Sequence, residues 1–490
     1  MSKTEKPPRY EAPLDTKVTL SPKWRIRGES GRAVLYLWDD QAAEFTFLPP
    51  VFGIILALCD GSRTLGMVAA NLAYIDDDLE ASTALGLVRK ALGTVEIDQQ
   101  GNPRLHKCGN GTLPAGHRTY RPAEFIRLRD KPCYPNRLSV PLALLYMPSN
   151  RCETDCVYCY SERKPISPEN ELSIERWLEL LDEAEALGID MVSFSGGDPL
   201  TYGHLDQILE RICRGDTKFT IPTKGYVSPR RAARWVEIGM ASSAVKVQIS
   251  IDGPDAATAD YMTRSPGFYQ RAVESIRNLV ACDIIVRTNT VLTPHNVRTA
   301  PDLVRQLHDL GVSEAGFTNY SRTYYRHDDA MFLSPEQVEW AKNELLEFKR
   351  RSRWEDLNCN VEVIDYGALS VEERRRDWPG RSGCSGGTCS MTICPDGSVT
   401  LCEQAPIQPP FVVGNVRTSS LMEVWNSDEL LGEVYPPVEK FVGTACHTCE
   451  EFRECHDSQG RCFRDSYFVF GNAYAPPPTC PLAETGLRVQ

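Results

Sequence analysis

The chain has 490 residues, of which 42% are hydrophobic and 24% charged, a composition typical of globular proteins with about two to four domains. Its 54 Lys and Arg residues against 66 Asp and Glu residues give a formal net charge of −12 at pH 7. This balance argues against nucleic acid or an anionic membrane as the main partner. The N-terminus is polar, and the longest apolar stretches, Val51–Cys59 and Leu138–Met147, are too short to span a bilayer. We therefore expect a cytoplasmic protein.

Cysteine usage is the most informative feature of the composition. The chain has 18 cysteines, and nine of them fall between Cys384 and Cys480. A reducing compartment disfavours a disulfide framework, so these thiols indicate metal binding or redox chemistry.

The first hundred residues predict a small domain behind a polar leader. Residues 1–17 have several prolines and few apolar residues, and we expect them to be disordered. Residues 18–98 predict two strands followed by three helices: Ala33–Trp38, Glu44–Leu48, Val51–Cys59, Thr64–Leu72 and Ala81–Leu92. This order predicts a winged-helix-like domain, and residues 99–136, rich in Gly, Pro and Arg, predict a linker.

From residue 137 to residue 325 the pattern changes to alternating strands and helices. Six strands are predicted, at Leu138–Met147, Met191–Ser195, Lys218–Pro222, Val245–Ile251, Ile284–Leu292 and Ala315–Asn319. The apolar stripe of Ile174–Leu187 predicts a helix that ends at Gly188. The fold class is therefore α/β, with a partial (β/α)6 TIM-type barrel whose chemistry belongs at the carboxyl ends of the strands. Residues 326–380 predict a connector, and residues 381–485 a loop-rich, cysteine-rich domain.

Three cysteines follow the first barrel strand in the order Cys152-x3-Cys156-x2-Cys159. Three thiolates on one loop can bind three irons of a [4Fe–4S] cluster and leave the fourth iron open. A structural zinc site is the alternative, but it needs four ligands, and no fourth Cys or His lies nearby in sequence. With Tyr158 before the last cysteine, this segment resembles the signature of the radical S-adenosylmethionine (SAM) superfamily. The resemblance implies that the open iron binds SAM, which is cleaved to a 5′-deoxyadenosyl radical.

The same resemblance implies polar contacts to SAM at the ends of three later strands. The segment Ser195-Gly-Gly-Asp-Pro199 resembles the part of the family that holds the SAM amino group, and the segments around Ser250 and Arg287 resemble contacts to its carboxylate and ribose. The predicted SAM-binding residues are Gly196, Gly197, Asp198, Pro199, Ser250, Asp252, Arg287 and Asn289. Each of these segments could also be an ordinary turn or a solvated strand end.

The C-terminal cysteines follow the order Cys384-x12-Gly397-x4-Cys402, then Cys446-x2-Cys449-x5-Cys455-x6-Cys462, then Cys480. This pattern resembles the SPASM domain, which carries two auxiliary [4Fe–4S] clusters, so the chain is expected to hold three clusters in all. The resemblance assigns Cys384, Cys402 and Cys462 to an inner cluster, with Cys389 or Cys394 as fourth ligand. It assigns Cys446, Cys449, Cys455 and Cys480 to an outer cluster. The family has three residues where this chain has six between Cys455 and Cys462, and zinc is the alternative for Cys446 and Cys449 alone.

Two further assignments concern the chemistry beside the inner cluster. Glu403 follows Cys402 and is a candidate general base for a substrate proton, although a solvated loop glutamate is equally compatible with the sequence. The inner cluster is a candidate acceptor for the surplus electron. No function is assigned to the remaining cysteines: Cys59, Cys108, Cys133, Cys213, Cys282 and Cys359.

Residues 18–98 resemble the PqqD-like element that binds leader peptides as an added strand on many maturases of ribosomally made peptides. The resemblance rests on Ala33–Trp38, Phe45–Leu48 and Leu56–Thr64. It implies a radical SAM enzyme that modifies a precursor peptide, with a thioether, a carbon–carbon cross-link or an epimer as product and a flavodoxin- or ferredoxin-type electron donor. The alternatives are a formylglycine-forming sulfatase maturase, a non-catalytic iron–sulfur electron carrier, a zinc-structured binding protein and, for residues 18–98, a DNA-binding winged helix.

Overall fold

A computed structural model describes residues 10–39, 44–75, 78–98, 101–109, 112–126, 134–161, 166–352, 357–363, 369–381 and 383–484. The chain divides into two compact units, Met1–Ser139 and Val140–Gln490. Among the described residues, no helix is both long enough and apolar enough to cross a membrane.

The N-terminal unit contains a three-stranded antiparallel sheet and three helices. Its elements are β1 (Val18–Leu20), β2 (Trp24–Glu29), β3 (Arg32–Leu37), β4 (Phe45–Leu48), α1 (Pro50–Leu58), α2 (Leu65–Ile75), α3 (Ala81–Val95) and β5 (Leu105–Lys107). The sheet order is β2-β3-β4, and β1 pairs separately with β5. The buried residues Leu35, Ile55 and Leu92 contribute to one hydrophobic core shared by sheet and helices. The two predicted strands and three predicted helices are present, with ends shifted by up to three residues.

Two parts of this unit differ from the sequence-based expectation. Residues 1–9 of the predicted leader lie outside the described residues, but Tyr10 is buried in the core and its N–H donates to the Arg89 carbonyl at 3.1 Å. The predicted linker supplies β5 and the fully buried Phe125, which packs against α1. Both segments are polar and contain proline, and each packs onto the core through isolated apolar residues. Isolated apolar residues produce no periodic pattern, so the sequence did not predict this packing.

The second unit is built on one continuous ten-stranded sheet. Its elements are β6 (Ala143–Tyr146), α4 (Ile174–Ala186), β7 (Met191–Phe194), α5 (Leu205–Cys213), β8 (Lys218–Thr223), α6 (Pro229–Glu237), β9 (Val245–Ser250), α7 (Ala256–Thr263), α8 (Phe268–Val280), β10 (Val286–Leu292), α9 (Ala300–Asp309), β11 (Glu314–Asn319), α10 (Pro335–Ser352), β12 (Asn358–Glu362), α11 (Val371–Asp377), β13 (Ser390–Ile393), β14 (Ser398–Thr400), β15 (Val412–Asn415), α12 (Leu421–Trp425), α13 (Asp428–Val434), α14 (Phe452–Asp457) and α15 (Phe463–Phe470). The strand order is β12-β11-β10-β9-β8-β7-β6-β13-β14-β15.

The mostly parallel sheet agrees with the predicted α/β fold, and two of its features were not predicted. A seventh parallel strand, β12, lies beside β11 in what was expected to be a connector. The hairpin of β13 and β14 joins the sheet because β13 pairs in parallel with β6. The first hairpin of the cysteine-rich region is therefore part of the barrel sheet.

Alternation along the barrel strands separates a helix-covered face from a concave face. In β9, Val245, Val247 and Ile249 are buried in the core with the surrounding helices. The residues between them, Lys246, Gln248 and Ser250, are only half-buried and face the opposite side of the sheet. The same alternation continues in β10, so the concave face of the barrel carries polar side chains.

Candidate active site

The loop that carries Cys152, Cys156 and Cys159 begins after β6 and is held from two sides. The N–H groups of Asp155 and Val157 each donate, at 2.9 Å, to carbonyls at the end of α7. From the loop after β11, Arg326 donates from Nη1 to the carbonyls of Asp155 and Cys156 at 3.1 and 3.2 Å. Backbone contacts therefore fix the path of the loop whatever its thiols bind.

Gly196 and Gly197 lie directly against the segment that leads into Cys152. The Gly197 N–H donates to the Ser149 carbonyl at 2.9 Å. A Cβ on Gly197 would stand 2.1 Å from the Arg151 carbonyl oxygen, and one on Gly196, whose φ is +98°, would stand 2.7 Å from the Ser149 carbonyl oxygen. These glycines thus allow two loops to pack closely. Their role in binding SAM stays a prediction.

The carboxylate of Asp198 is already engaged by protein donors. Oδ2 accepts from the N–H groups of Lys224 and Gly225 at 2.7 and 2.8 Å, and both oxygens accept from the Thr223 hydroxyl at 2.8 and 2.9 Å. Oδ1 also accepts from the Leu200 N–H, and through this bond the Asp198 side chain caps the short turn that begins at Pro199. Asp198 therefore holds the loop after β8, and its predicted contact with an ammonium group gains no support from this geometry.

Lys224, which no sequence motif indicated, occupies the centre of this edge of the sheet. Its Nζ donates to the Ser250 carbonyl at 3.0 Å and forms an ion pair with Asp252 at 3.2 Å. The Asp252 carboxylate also accepts from the hydroxyl of Tyr158, so it binds the Cys loop as well. Burial alone would lower the pKa of Lys224, but Asp252 and the Cys156 thiolate raise it.

The pKa of Cys156 is governed by the same neighbours. Burial raises it, while the Lys224 ammonium and the Thr154 hydroxyl counteract that rise. A thiolate is the form that binds iron, and a buried cation stabilises it. No local motif links Lys224 to Asp252, because the two residues meet only through the pairing of β8 with β9.

Of the remaining predicted SAM contacts, the structure brings two together. Ser250 and Asn289 are direct neighbours in the register of β9 and β10 and lie on the concave face. Arg287 lies nearer the start of β10, beside Glu314, with Nε and Oε2 3.9 Å apart. Arg287 lies on the same face of β10 as Asn289, two residues nearer the amino end of the strand, and its contact with SAM stays a prediction.

Glu403 is half-buried and connected to the loop that carries Cys152, Cys156 and Cys159. It forms a side-chain hydrogen bond with Ser195, and the Ser195 hydroxyl lies 3.0 Å from the hydroxyl of Tyr160, the residue after Cys159. Burial raises the pKa of Glu403, while the hydrogen bond from Ser195 and the charge of Arg464 counteract part of that rise. The role of Glu403 as a general base stays a prediction.

The thiols assigned to the inner cluster are grouped around the open end of the β13–β14 hairpin. The thiolate of Cys384 raises the pKa of both Cys402 and Cys462, after burial as the main cause. Cys402 follows β14 and Cys389 precedes β13, and the antiparallel register of Thr392 with Thr400 puts those two positions at the same end of the hairpin. Cys394 begins the turn at the opposite end, where its N–H donates to the Ser398 carbonyl at 2.8 Å.

The outer thiols form a second group. Burial raises the pKa of Cys446 to about 12, and the thiolates of Cys480, Cys455 and Cys449 raise it as well. Arg381 donates from Nη2 to the Cys455 sulfur at 3.3 Å. The segment that carries Cys480 is held by a buried arginine, Arg374, whose Nη1 donates to the carbonyls of Cys480 and Ala483 at 3.1 Å each.

These interactions relate Cys156 to Cys159, Cys384 to Cys402 and Cys462, and Cys446 to Cys449, Cys455 and Cys480. The assignment of the thiols as cluster ligands stays a prediction. Among the described residues, no three His, Cys, Asp or Glu side chains converge on a single metal ion. The grouping therefore rests on the electrostatic interactions between thiols and on topology. A donor set made of cysteines, with buried arginines and a lysine beside it, is suited to anionic iron–sulfur clusters.

Two family models match the parts of the chain just described. The model of the radical SAM superfamily matches residues 146–307, which include the first cysteine loop and the elements from α4 to α9. The model of the SPASM iron–sulfur cluster-binding domain matches residues 384–456. These matches imply a [4Fe–4S] cluster with SAM in the barrel and auxiliary clusters in the C-terminal region.

The similarity of this chain to curated relatives and solved structures extends over most of its length. A "PqqA peptide cyclase" of Granulibacter bethesdensis is 24% identical over 354 residues, which cover 70% of this chain and 88% of that protein. An "Fe-coproporphyrin III synthase" of Methanosarcina barkeri is 26% identical over 396 residues, 75% of this chain and 96% of that protein. The crystal structure of Streptococcus suis SuiB bound to precursor peptide SuiA has the same fold, with a TM-score of 0.61 at 16% identity over 96% of this chain and 100% of that one.

The cysteine loop after the first barrel strand, the parallel sheet and the two family matches lead to the same conclusion. The chain is an enzyme of the radical SAM type that carries a SPASM iron–sulfur cluster-binding domain.

Proposed function

We propose that this enzyme modifies a ribosomally made precursor peptide and joins two of its residues by a thioether or carbon–carbon bond. The observation that carries the proposal is the chain of side-chain hydrogen bonds from Tyr160 through the buried Ser195 to Glu403. It puts a carboxylate between the Cys loop of the barrel and the inner thiols. Forming a bond from carbon to a second residue removes one hydrogen atom, one proton and one electron, so the reaction needs a proton acceptor beside the substrate.

The proposal assigns all the cysteine ligands to three [4Fe–4S] clusters. The SAM cluster would be held by Cys152, Cys156 and Cys159, the inner cluster by Cys384, Cys389, Cys402 and Cys462, and the outer cluster by Cys446, Cys449, Cys455 and Cys480. Cys389 is preferred to Cys394 because it lies at the same end of the hairpin as Cys402. When bound, SAM and its cluster supply a 5′-deoxyadenosyl radical that abstracts hydrogen from the peptide.

Glu403 would take the proton from the substrate residue. For a carboxylate in water the proton affinity is too low for this task, but burial raises the pKa of Glu403 and so makes it a better base. Ser195 and Arg464 counteract part of that rise, because both stabilise the ionised carboxylate. If Ser195 donates to Glu403, its oxygen must accept from Tyr160, so the hydroxyl pair fixes the orientation of the carboxylate.

The leader of the peptide would bind to the N-terminal unit as an added strand. β4 is an edge strand of the described three-stranded sheet. Its Phe45 and Phe47 are half-buried and pack edge to face with ring centroids 5.3 Å apart. Strand addition takes affinity from main-chain hydrogen bonds and register from such side-chain surfaces. The likeness to SuiB extends over 96% of this chain, and SuiB in that structure is bound to precursor peptide SuiA, which supports a peptide-binding role for this unit.

The test is anaerobic reconstitution of the full chain, followed by a count of iron and sulfide and by reaction with dithionite, SAM and the short peptide encoded beside the gene. We expect about twelve irons per chain, since each [4Fe–4S] cluster holds four. We also expect 5′-deoxyadenosine and a peptide that has lost two hydrogens. Zinc in place of iron, or iron with intact SAM, would contradict the proposal and favour the zinc-protein or electron-carrier alternative.

A second candidate substrate class is a tetrapyrrole, because one relative is named for the synthesis of Fe-coproporphyrin III. A parallel reaction with coproporphyrin distinguishes the two classes, since only the true substrate increases 5′-deoxyadenosine formation above the rate without substrate. A sulfatase-derived peptide in a third reaction checks the formylglycine alternative in the same way. We favour the precursor peptide because the edge strand of the N-terminal unit has no task in the other two reactions.

A further inference from the structure

The segment between Cys455 and Cys462, longer here than in the family pattern, delivers a buried arginine. It leaves α14 and turns at Gly460, whose φ is +69° and whose N–H donates to the Cys455 carbonyl at 2.9 Å. The Gln459 carbonyl accepts from the N–H of Cys384 at 3.2 Å. The segment is therefore attached to one outer and one inner cysteine, and it ends at Arg461, directly before Cys462.

Arg461 is only 3% exposed and lies among aromatic rings. Its guanidinium carbon is 4.7 Å from the ring centroid of Phe441 and 4.5 Å from that of Phe463. Phe441 packs in a small hydrophobic cluster with Cys446, while Phe463 begins the helix that follows Cys462. One guanidinium thus lies between an outer and an inner cysteine.

The hydrogen bonds of Arg461 account for only part of its donors. Nη1 donates to the Ala475 carbonyl at 2.9 Å and to the Ser466 hydroxyl at 3.3 Å. Nε and Nη2 are buried and have no hydrogen-bond partner among the described residues. The groups that face this cation electrostatically are the cysteines Cys446, Cys455 and Cys462 and the Tyr474 hydroxyl. Buried N–H groups of a charged side chain are rarely left without an acceptor, which indicates a ligand that the protein atoms do not supply.

We propose that Arg461 donates these two N–H groups to sulfur atoms of both auxiliary clusters and thereby sets their reduction potentials together. The inference rests on the proposed function, in which the outer and inner thiols each hold a cluster. Reduction adds negative charge to a cluster, and both a nearby cation and N–H···S hydrogen bonds stabilise the reduced form and raise its potential. A guanidinium can serve two acceptors because its five N–H donors form a rigid fork.

The test uses the reconstituted full chain and follows the clusters by redox titration with electron paramagnetic resonance. Arg461→Gln removes the charge and the fork but keeps an amide donor, and Arg461→Lys keeps the charge without the fork. Arg453→Gln is the matched control, because Arg453 is an exposed arginine two residues before Cys455. Iron and sulfide are counted first, so that a wild-type chain with fewer than two auxiliary clusters is recognised as a failure of the proposed function rather than of this inference.

We expect Arg461→Gln to lower the midpoint potentials of both auxiliary clusters by about 59 mV or more, a tenfold change for a one-electron couple. Arg461→Lys should lower both by less, and Arg453→Gln and the SAM cluster should show no change. If Arg461→Gln does not retain full iron, the comparison of Arg461→Lys with Arg453→Gln decides. Unchanged auxiliary potentials in the fully loaded variant, a change confined to one cluster, or an equal change at the SAM cluster would overturn the proposal.

Discussion

Replacing Lys224 by methionine removes one partner of the buried ion pair beside the SAM-cluster loop. The side chains of Lys224 and Asp252 are 14% and 0% exposed, and their charged atoms are 3.2 Å apart. At that distance and an effective dielectric constant of about 20, two unit charges attract each other by about 5 kcal/mol. When only the cation is removed, the buried Asp252 carboxylate still accepts hydrogen bonds from the Tyr158 hydroxyl and the Val291 N–H but has no ion-pair partner in Lys224. We expect the variant to lose about 3–5 kcal/mol of stability.

The assay is denaturant unfolding of the full chain, with hydrogen–deuterium exchange of β9 and β10 to locate the loss in the barrel. The Val291 amide should exchange faster, because it donates to the Asp252 carboxylate at 3.1 Å. Lys246→Met is the control. Lys246 pairs with Glu314 on the same face of the sheet, but Glu314 is 28% exposed and keeps Arg287 as a neighbour. Its loss should cost no more than about 1 kcal/mol.

A double variant separates the pair from general damage to the core. Lys224→Met with Asp252→Leu removes both charges and should recover most of the stability lost in Lys224→Met, since replacing a whole buried pair by apolar residues is often close to neutral. If Lys224→Met costs no more than Lys246→Met, or if the double variant is as unstable as the sum of the single ones, the pair does not stabilise this edge of the barrel.

Three further changes test other parts of the site. Glu403→Gln should still form 5′-deoxyadenosine but should lower the yield of cross-linked peptide by about 10²–10⁴-fold, the usual effect of losing a general base. Glu403→Asp should give an intermediate yield, and a wild-type yield from Glu403→Gln would show that Glu403 is not the base. Gly197→Ala should lower the free energy of unfolding by about 1–3 kcal/mol and lower the iron content of the SAM cluster, because the new Cβ would lie 2.1 Å from the Arg151 carbonyl oxygen. Gly203→Ala is the control: its Cβ would meet open space, so its melting temperature and iron content should match those of the wild type. Phe45→Pro should weaken peptide binding about two- to tenfold more than Phe45→Ala, because proline also removes one edge N–H whose hydrogen bond is worth roughly 0.5–1.5 kcal/mol. Binding is measured by fluorescence anisotropy, and equal affinities of the two variants would argue against strand addition.

The parts of the fold that could be predicted are those with strong local patterns. The six barrel strands alternate with helices, and Ile174–Ala186 has both a serine cap, Ser173, and an apolar stripe that buries Trp177. The strand β12 was missed because its sequence, Asn-Cys-Asn-Val-Glu, is polar and occupies a sheet edge where most side chains stay exposed. Propensity alone does not identify such an edge strand, since pairing with β11 supplies its stability.

The site shows the same division between local and long-range information. Cysteine spacing is a local property, and it was enough to indicate the candidate cluster ligands without any knowledge of the fold. Lys224 could not be identified, because its partner Asp252 belongs to another strand end. The donors that engage Asp198 could not be identified either, since nothing local indicates that the loop after β8 reaches its oxygens. Arg461 lies beside a departure from the family spacing, which was the one signal in the sequence that could have directed attention to it.

The hairpin of β13 and β14 connects the C-terminal cysteine motif to the barrel sheet, as the proposed reaction requires. Because β13 pairs with β6 in parallel register, from Ser390 opposite Ala143 to Ile393 opposite Tyr146, the hairpin is a continuation of the barrel sheet. The first cysteine loop follows β6, and Glu403 comes shortly after β14. Glu403 lies three residues beyond β14, and its hydrogen bond with Ser195, the residue after β7, holds it beside the loop that carries Cys159. A reaction that removes a hydrogen atom at one point and a proton at another requires such a fixed arrangement.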